Sequence, residues 1–410
     1  MIIVRIACYI LYAVVFLYGL YFAFTGLFTF FRSKKRITEY DPKTNFAILI
    51  AARNEQEVIA DLVTSLKRQN YPAELYSIYC LINNCTDNTE MVARNAGANI
   101  ISVDIPVKGK GDVLKYAFEY LKDRKYDAYI IFDADNEVHP DFLKKMNDAY
   151  MSGYHVAQGR KDSKNLEDNW ISASYSLFYY YQNIFFNKSR MNIGKSAAIN
   201  GTGFMVKREI VEDDFNPQTI TEDNELSVIC ALNGIQIAYV DDAITYDEQP
   251  IDFKTSWFQR IRWSHGLIQC RKLYGKQLIK KAFKGHDMVC LDKYLFIIAP
   301  YVQVLSLIIF AAMLFVNLVG TDAKQLISET AIYECIGGAI SFLIGAAVNA
   351  FAIAYYKRNI FKAMHGIFLF GLFMTTWIAV NIVSITKKNL TWVPIKHIKK
   401  SNIQNILNNG

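Results

Sequence analysis

The stretch AYIIFDAD, residues 128–135, decides the reading of the fold. Ala128 to Phe132 is an apolar run of strand length, and Asp133 and Asp135 follow it directly. Open α/β sheets bind ligands outside the carboxyl ends of their strands, so this reading sets the two carboxylates at a ligand-facing sheet edge. Residues two apart there can both reach a hard divalent cation, which takes oxygen ligands and is commonly completed by phosphate and water. A metal and diphosphate site at Asp133 and Asp135 is the expectation, with a solvated acidic loop as the alternative. Working outward, Phe46 to Ala52 and Tyr76 to Ile82 read as two more buried strands. Between them Val58, Leu62, Ser65 and Leu66 recur at helical spacing, with Glu55, Glu57 and Asp61 near the helix start. A strand, helix, strand opening in a region that alternates β-branched runs with helical patterns predicts a doubly wound, Rossmann-like α/β domain.

Three further segments carry chemistry. Lys108-Gly109-Lys110-Gly111 precedes the helical pattern Val113, Leu114, Ala117, Phe118 and Leu121, so backbone amides and an ammonium can meet a phosphate at a helix N-terminus. The Gly-Lys-Ser/Thr ending of a Walker loop is missing, and a flexible basic loop is the plain alternative. Thr221-Glu222-Asp223 opens another helical pattern, which by itself is a helix cap. Gln259-Arg260-Ile261-Arg262-Trp263 combines guanidinium groups that can hold phosphate with a Trp that can stack on a sugar face. Together with a carboxylate these make a plausible transferase set.

The 410 residues are 52% hydrophobic and 20% charged, which excludes a disordered chain, and the apolar residues lie in long runs at both ends of a more polar middle. Ile6 to Phe31 is charge-free, longer than a signal-peptide core, and followed by Arg32, Lys34, Lys35 and Arg36. It is expected to remain as an anchor with the following domain in the cytoplasm. Tyr294 to Val319, Ala331 to Tyr356 and Phe361 to Ile385 are each long enough to cross a bilayer, giving about four transmembrane helices. The expected division is an anchor at 1–36, a catalytic domain at 37–250, an amphipathic interface segment at 251–292, a transmembrane region at 293–386 and a basic tail at 387–410. Parity fails at the last run. A single crossing would put the acid-free tail, with Lys387, Lys388, Lys396, Lys399 and Lys400, outside. The run is then re-entrant or bent, or the tail is an exception to the positive-inside rule; a cytoplasmic tail is expected. The net charge of +7 is accounted for by topology, so no nucleic-acid partner is expected. Seven cysteines without a Cys-x-x-Cys pair support neither structural zinc nor a disulfide framework. Trp170 to Phe186, with eight aromatics, and Ile251 to Gly285, with nine basic residues against one acid, suit helices in the membrane interface. Ordinary core is the alternative for the aromatic stretch.

Taken in order, ARNE at 52–55, NNCTDNT at 83–89, KGKG at 108–111, DAD at 133–135, NGTGF at 200–204, TED at 221–223 and QRIRW at 259–263 resemble the family 2 inverting glycosyltransferases of the membrane polysaccharide-synthase type, which include cellulose, chitin, hyaluronan and poly-N-acetylglucosamine synthases. The resemblance implies a GT-A fold, a UDP-sugar donor, Mg²⁺ or Mn²⁺ held by Asp135 and Asp133, and Asp223 as catalytic base. It assigns Ala52, Asn54, Glu55, Asn83, Lys110, Asp133, Gln259, Arg260 and Arg262 to the donor, and Gly201, Thr202, Gly203, Glu222 and Trp263 to the acceptor. Asn83 departs from the family's usual acid; its amide oxygen can still accept from a uracil N–H, and Asp87 is a substitute to consider. The spacing through YDEQP at 246–250 most resembles bacterial cellulose-synthase-like enzymes. The implied activity is processive β-glucan synthesis from UDP-glucose, 1,4 or mixed 1,3/1,4, at the cell membrane. The partners are the growing polysaccharide, membrane lipids and accessory secretion subunits that the sequence leaves unidentified. An N-acetylglucosamine polymer, transfer of one sugar to a lipid, and a catalytically dead scaffold are the alternatives.

Overall fold

The structure is a computed structural model that describes residues 2–31, 37–212, 215–320 and 323–387, without the side chains of 2 and 317–335. The basic run 32–36 and the tail from 388 onward lie outside the described residues.

Eight strands, β1 (Phe46–Ala52), β2 (Tyr76–Ile82), β3 (Asn99–Ser102), β4 (Ala128–Asp133), β5 (Glu137–Val138), β6 (Val156–Ser163), β7 (Phe204–Lys207) and β8 (Ile237–Asp247), form one sheet in the order β3-β2-β1-β4-β7-β6-β8-β5. The first four neighbours are parallel, and β7 runs antiparallel to both β4 and β6. β1, β2 and β4 are continuous apolar runs because helices cover both faces of the parallel part, leaving no solvent side for an alternating pattern. Register pairs Ala52 with Ile82 and Ala51 with Asp133. The chain segments that follow these three strands therefore leave the sheet at one edge.

The four apolar helices are Ile2–Leu27, Ala299–Gly320, Ala323–Tyr355 and Met364–Thr386, each long and apolar enough to cross a membrane. The run expected at Tyr294 to Val319 is two helices. Met288–Ile297 ends at Ile298, and the next begins with Pro300 in its first turn, where the missing N–H is harmless but would interrupt a continuing helix.

The aromatic stretch is core. Trp170–Tyr181 continues through a π-helical segment, Gln182–Lys188, into Ser189–Asn192. Tyr175 and Tyr180 are fully buried, and a Cβ on Gly366 would stand 2.5 Å from Ala173 Cβ. Only a glycine lets the Met364–Thr386 helix approach that closely. The long helix Phe253–Lys284 packs on Glu222–Leu232 on one side and on Met364–Thr386 on another.

Candidate active site

The loops after β1 and β2 are laced together. Asn83 N–H donates to the Ala52 carbonyl at 3.3 Å, Asn54 Oδ1 accepts from the Thr86 amide at 2.8 Å, and the Glu55 amide donates to Thr89 Oγ1 at 2.8 Å. Asn54 has φ +61°, a left-handed conformation that Asn tolerates better than most residues. Asn83 is buried and spends its Nδ2 on the Val103 carbonyl at 3.0 Å, while Asn84 approaches its Oδ1 only at 3.4 Å. Asp87 is committed to the loop, accepting from the Gln56 amide and from the Thr89 amide and hydroxyl.

At the same sheet edge Asp133 closes β4. Lys110, the first residue of the helix Lys110–Leu121, donates to Asp133 Oδ1 and, at 2.7 Å, to the Gly201 carbonyl. Gly201 and Gly203 have φ +80° and +63°, and this lets the NGTGF segment turn back against β4. The Thr202 hydroxyl accepts from the Asp133 amide at 3.0 Å and donates to Asn136 Oδ1. Asn136 in turn donates to Asp247 at 2.7 Å, and Lys161 pairs with Asp247 at 2.7 Å. Lys161, near the end of β6, and Asp247, at the end of β8, belong to this network without a sequence expectation for either; Asp247 lies in the YDEQP stretch, and Lys161 has no such signal.

Thr221 is the N-cap residue of the Glu222–Leu232 helix, but its buried hydroxyl makes no capping bond. Asp223 Oδ2 lies 3.6 Å from where a Cβ on Gly201 would stand, and Glu222 Cβ lies 3.1 Å from the same point on Gly111. Lys110, Asp133, Gly201, Glu222 and Asp223 thus converge. Burial pushes Glu222 up to about 7, against the pull of Lys110 and with Asp223 adding to the rise. Burial likewise raises Asp223, against the Asn224 amide, Arg262 and Lys110. A helix N-terminus favours the ionised carboxylate, yet desolvation outweighs it here. Asp133 runs the other way: burial opposes its charge, but Lys110 and Lys161 hold it below the usual range.

The Phe253–Lys284 helix reaches this centre at Gly266, where an added Cβ would overlap Thr221. Arg262 acts electrostatically on Asp133, Glu222 and Asp223. Gln259 is half-buried with its Oε1 unpartnered. Arg260 is not part of the site, contrary to the expectation of a donor contact. It is fully buried, donates to Thr376 Oγ1 at 2.7 Å and lies 4.3 Å from the Phe373 ring centre. Successive helical residues point about 100° apart, so a five-residue motif cannot aim every polar group at one ligand. His265 also turns away, its Nδ1 3.1 Å from the Ser384 carbonyl. Trp263 is half-buried among Tyr175, Phe178, Tyr179 and Trp377 at ring separations of 5.8 to 6.3 Å.

For a divalent cation the residues fit. Asp133 and Asp135 offer hard oxygen donors, Asp135 being 6% exposed, and a cation at Asp133 would take over the oxygen that the Lys110 ammonium holds. No group of three or more His, Cys, Asp and Glu side chains converges among the described residues.

The backbone is similar to that of the mannosyltransferase PcManGT from Pyrobaculum calidifontis, solved with GDP-Man and Mn²⁺, at a TM-score of 0.63 and 17% identity over 93% of this chain and 97% of that one. In sequence the chain is similar to the probable glycosyltransferase YdaM of Bacillus subtilis, 26% identical over 58% of this chain and 60% of that protein. It is equally similar to the beta-monoglucosyldiacylglycerol synthase of Synechocystis, 26% identical over 56% of this chain and 49% of that protein. The chain thus spans about half to three-fifths of the length of these relatives. Residues 42–266, which hold the sheet, both laced loops, the Asp-Ala-Asp edge and the Thr-Glu-Asp helix, match the model described as glycosyltransferase like family 2, and the chain belongs to that family of GT-A transferases.

Proposed function

We propose that the protein is an inverting β-glycosyltransferase that moves a hexose, glucose by preference, from a UDP-sugar to an acceptor held where the catalytic domain meets the membrane. The observation that carries this reading is the convergence of Lys110, Asp133, Gly201, Glu222 and Asp223 beside a helix, Phe253–Lys284, that packs directly on the apolar Met364–Thr386. The loops carrying Ala52, Asn54, Glu55 and Asn83 hold the nucleoside, with Asn83 Oδ1 accepting the uracil N–H. Lys110, Gln259 and Arg262 hold the diphosphate. A cation bound by Asp135 and Asp133 would neutralise charge on the departing UDP. An acceptor hydroxyl oxygen attacks the anomeric carbon as the bond to UDP breaks. Its proton passes to Asp223, and UDP leaves with the electron pair, so an α-linked donor yields a β-linkage. Gly201, Thr202 and Gly203 shape the acceptor side with Glu222, and Trp263 offers a ring face to a pyranose.

That ring, supported by four aromatic neighbours, favours a sugar acceptor and hence elongation of a β-glucan chain, with the catalytic domain in the cytoplasm. Transfer of a single sugar to a lipid is the second reading; a relative named as a monoglucosyldiacylglycerol synthase favours it. Incubating the purified full chain in nanodiscs with a panel of UDP-sugars, followed by linkage and length analysis, tests both. Polymer from UDP-glucose supports the first reading, a single glucolipid the second, and no UDP release from any donor removes both.

A further inference from the structure

Both ends of the fourth apolar helix, Met364–Thr386, are tied to the catalytic-domain ends of the two apolar helices that precede it. At its start, Arg358, which follows the Ala323–Tyr355 helix, donates to Asp162 at 3.2 Å and to the Ser163 carbonyl at 2.9 Å, tying this connection to β6 of the catalytic sheet. One turn later the Ile367 carbonyl accepts from Asn349 Nδ2 at 2.8 Å, and Asn349 lies in the last turns of the Ala323–Tyr355 helix. At the other end Asn381 Nδ2 donates to Gln303 Oε1 at 2.6 Å, and Gln303 is in the second turn of the Ala299–Gly320 helix, just after that helix leaves the catalytic domain. Ser264 Oγ donates to Asn381 at 2.7 Å, and Ser384 Oγ donates to the Ile261 carbonyl at 3.2 Å. Ile367 and Asn381 are about 21 Å apart along the helix axis at 1.5 Å per residue. A helix crossing parallel to Ala299–Gly320 would have carried Asn381 toward the far end of that helix instead of its second turn.

We propose that Met364–Thr386 lies along the membrane surface on the catalytic side, with one leaflet of the bilayer as the partner of its outer face, and that the chain crosses the membrane three times. The helix has two distinct faces. Gly366, Phe370, Phe373, Val380 and Ser384 are buried toward the catalytic helices, whereas Met364, Phe368, Leu372, Ile382 and Ile385 form an exposed apolar stripe. An interfacial helix ordinarily turns a polar face to the headgroups; here the catalytic helices cover that face, and the outer stripe alone meets the acyl boundary. With three crossings the parity conflict in the sequence disappears. This goes beyond the proposed reaction and does not depend on the donor or on which compartment holds the catalytic domain.

Full-length variants Lys272→Cys, on the exposed face of the catalytic-side helix, and Lys387→Cys, at the helix end, are to be labelled with a membrane-impermeant maleimide in intact and in permeabilised cells, against the parent's background. The two positions should share one sidedness. Opposite sidedness overturns the proposal, whichever side Lys272→Cys reports. In a second arm, Gln303→Cys with Asn381→Cys should cross-link through a short bismaleimide in the membrane-inserted protein, and failure to cross-link with both thiols reactive overturns it as well.

Discussion

Asp223 and Glu222 begin one helix beside Lys110, with Glu222 buried and Asp223 half-buried. A base must be ionised to accept a proton. Asp223→Asn is therefore expected to keep UDP-sugar affinity and to lose turnover by about 10²- to 10⁴-fold, as removal of a positioned base does; near-normal turnover would exclude it. Glu222, pushed up to about 7 by burial, supplies the test that separates the two acids. With Glu222→Gln the neighbour stays neutral, as protonated Glu222 already is while Asp223 ionises, so an acid limb governed by Asp223 should keep its place. A limb that moves would mean that Glu222 governs it. The linkage to stability has its own sign. A carboxyl with a raised native value binds its proton more tightly folded than unfolded, so the contribution is present at low pH and is lost as pH rises from 4.5 toward about 7. Glu222→Gln should flatten that fall in melting temperature. The metal expectation belongs at this scale too: Asp135→Asn and chelation should each abolish UDP release, and undiminished turnover with chelator would remove the cation from the reaction.

At the scale of the element, the Phe253–Lys284 helix joins the candidate active site to the apolar Met364–Thr386 helix, and two of its residues report on the two sides. Gly266 faces the Thr-Glu-Asp helix with no room for a methyl group. Gly266→Ala should push the helices apart, costing about 1–3 kcal/mol as overpacking does and lowering kcat because Asp223 rides on the displaced helix. A variant with unchanged melting temperature and unchanged kcat would refute the contact. Arg260 faces the opposite way, onto Phe373 and Thr376. Arg260→Met should lower thermal stability in detergent while leaving donor KM unchanged, and a selective rise in donor KM would restore the donor role that the sequence suggested.

For the whole molecule, the N-terminal helix is bound to the catalytic domain through a buried charge cluster. Arg190, fully buried, pairs with Asp292 at 3.1 Å, and Tyr21 from the Ile2–Leu27 helix donates to the same carboxylate at 2.7 Å. Removing one partner of such a pair leaves an uncompensated buried charge and typically costs about 3–5 kcal/mol. Asp292→Ala should therefore destabilise the full chain far more than loss of an exposed pair such as Arg94 with Glu90. Equal melting temperatures for the two variants would contradict this.

The sheet was legible because its strands are buried on both faces: β1 and β2 fall on the runs Phe46–Ala52 and Tyr76–Ile82 that the sequence displays, and β4 extends its run by the single residue Asp133. The Asp-Ala-Asp edge and the first-turn position of Lys110 followed from the same local rules. Periodicity and length are properties of a segment by itself, so sequence determined where elements lie and which polar groups end them. It could not determine what a helix packs against. Whether Arg260 meets a phosphate or a phenyl ring depends on the angle at which a helix docks. Whether Asp223 is ionised depends on how much water the neighbouring loops exclude. Apolar content, likewise, cannot separate a crossing helix from one lying along a surface, since both need the same residues. Only the tertiary contacts at the two ends of Met364–Thr386, Asn349 with Ile367 and Gln303 with Asn381, distinguish them.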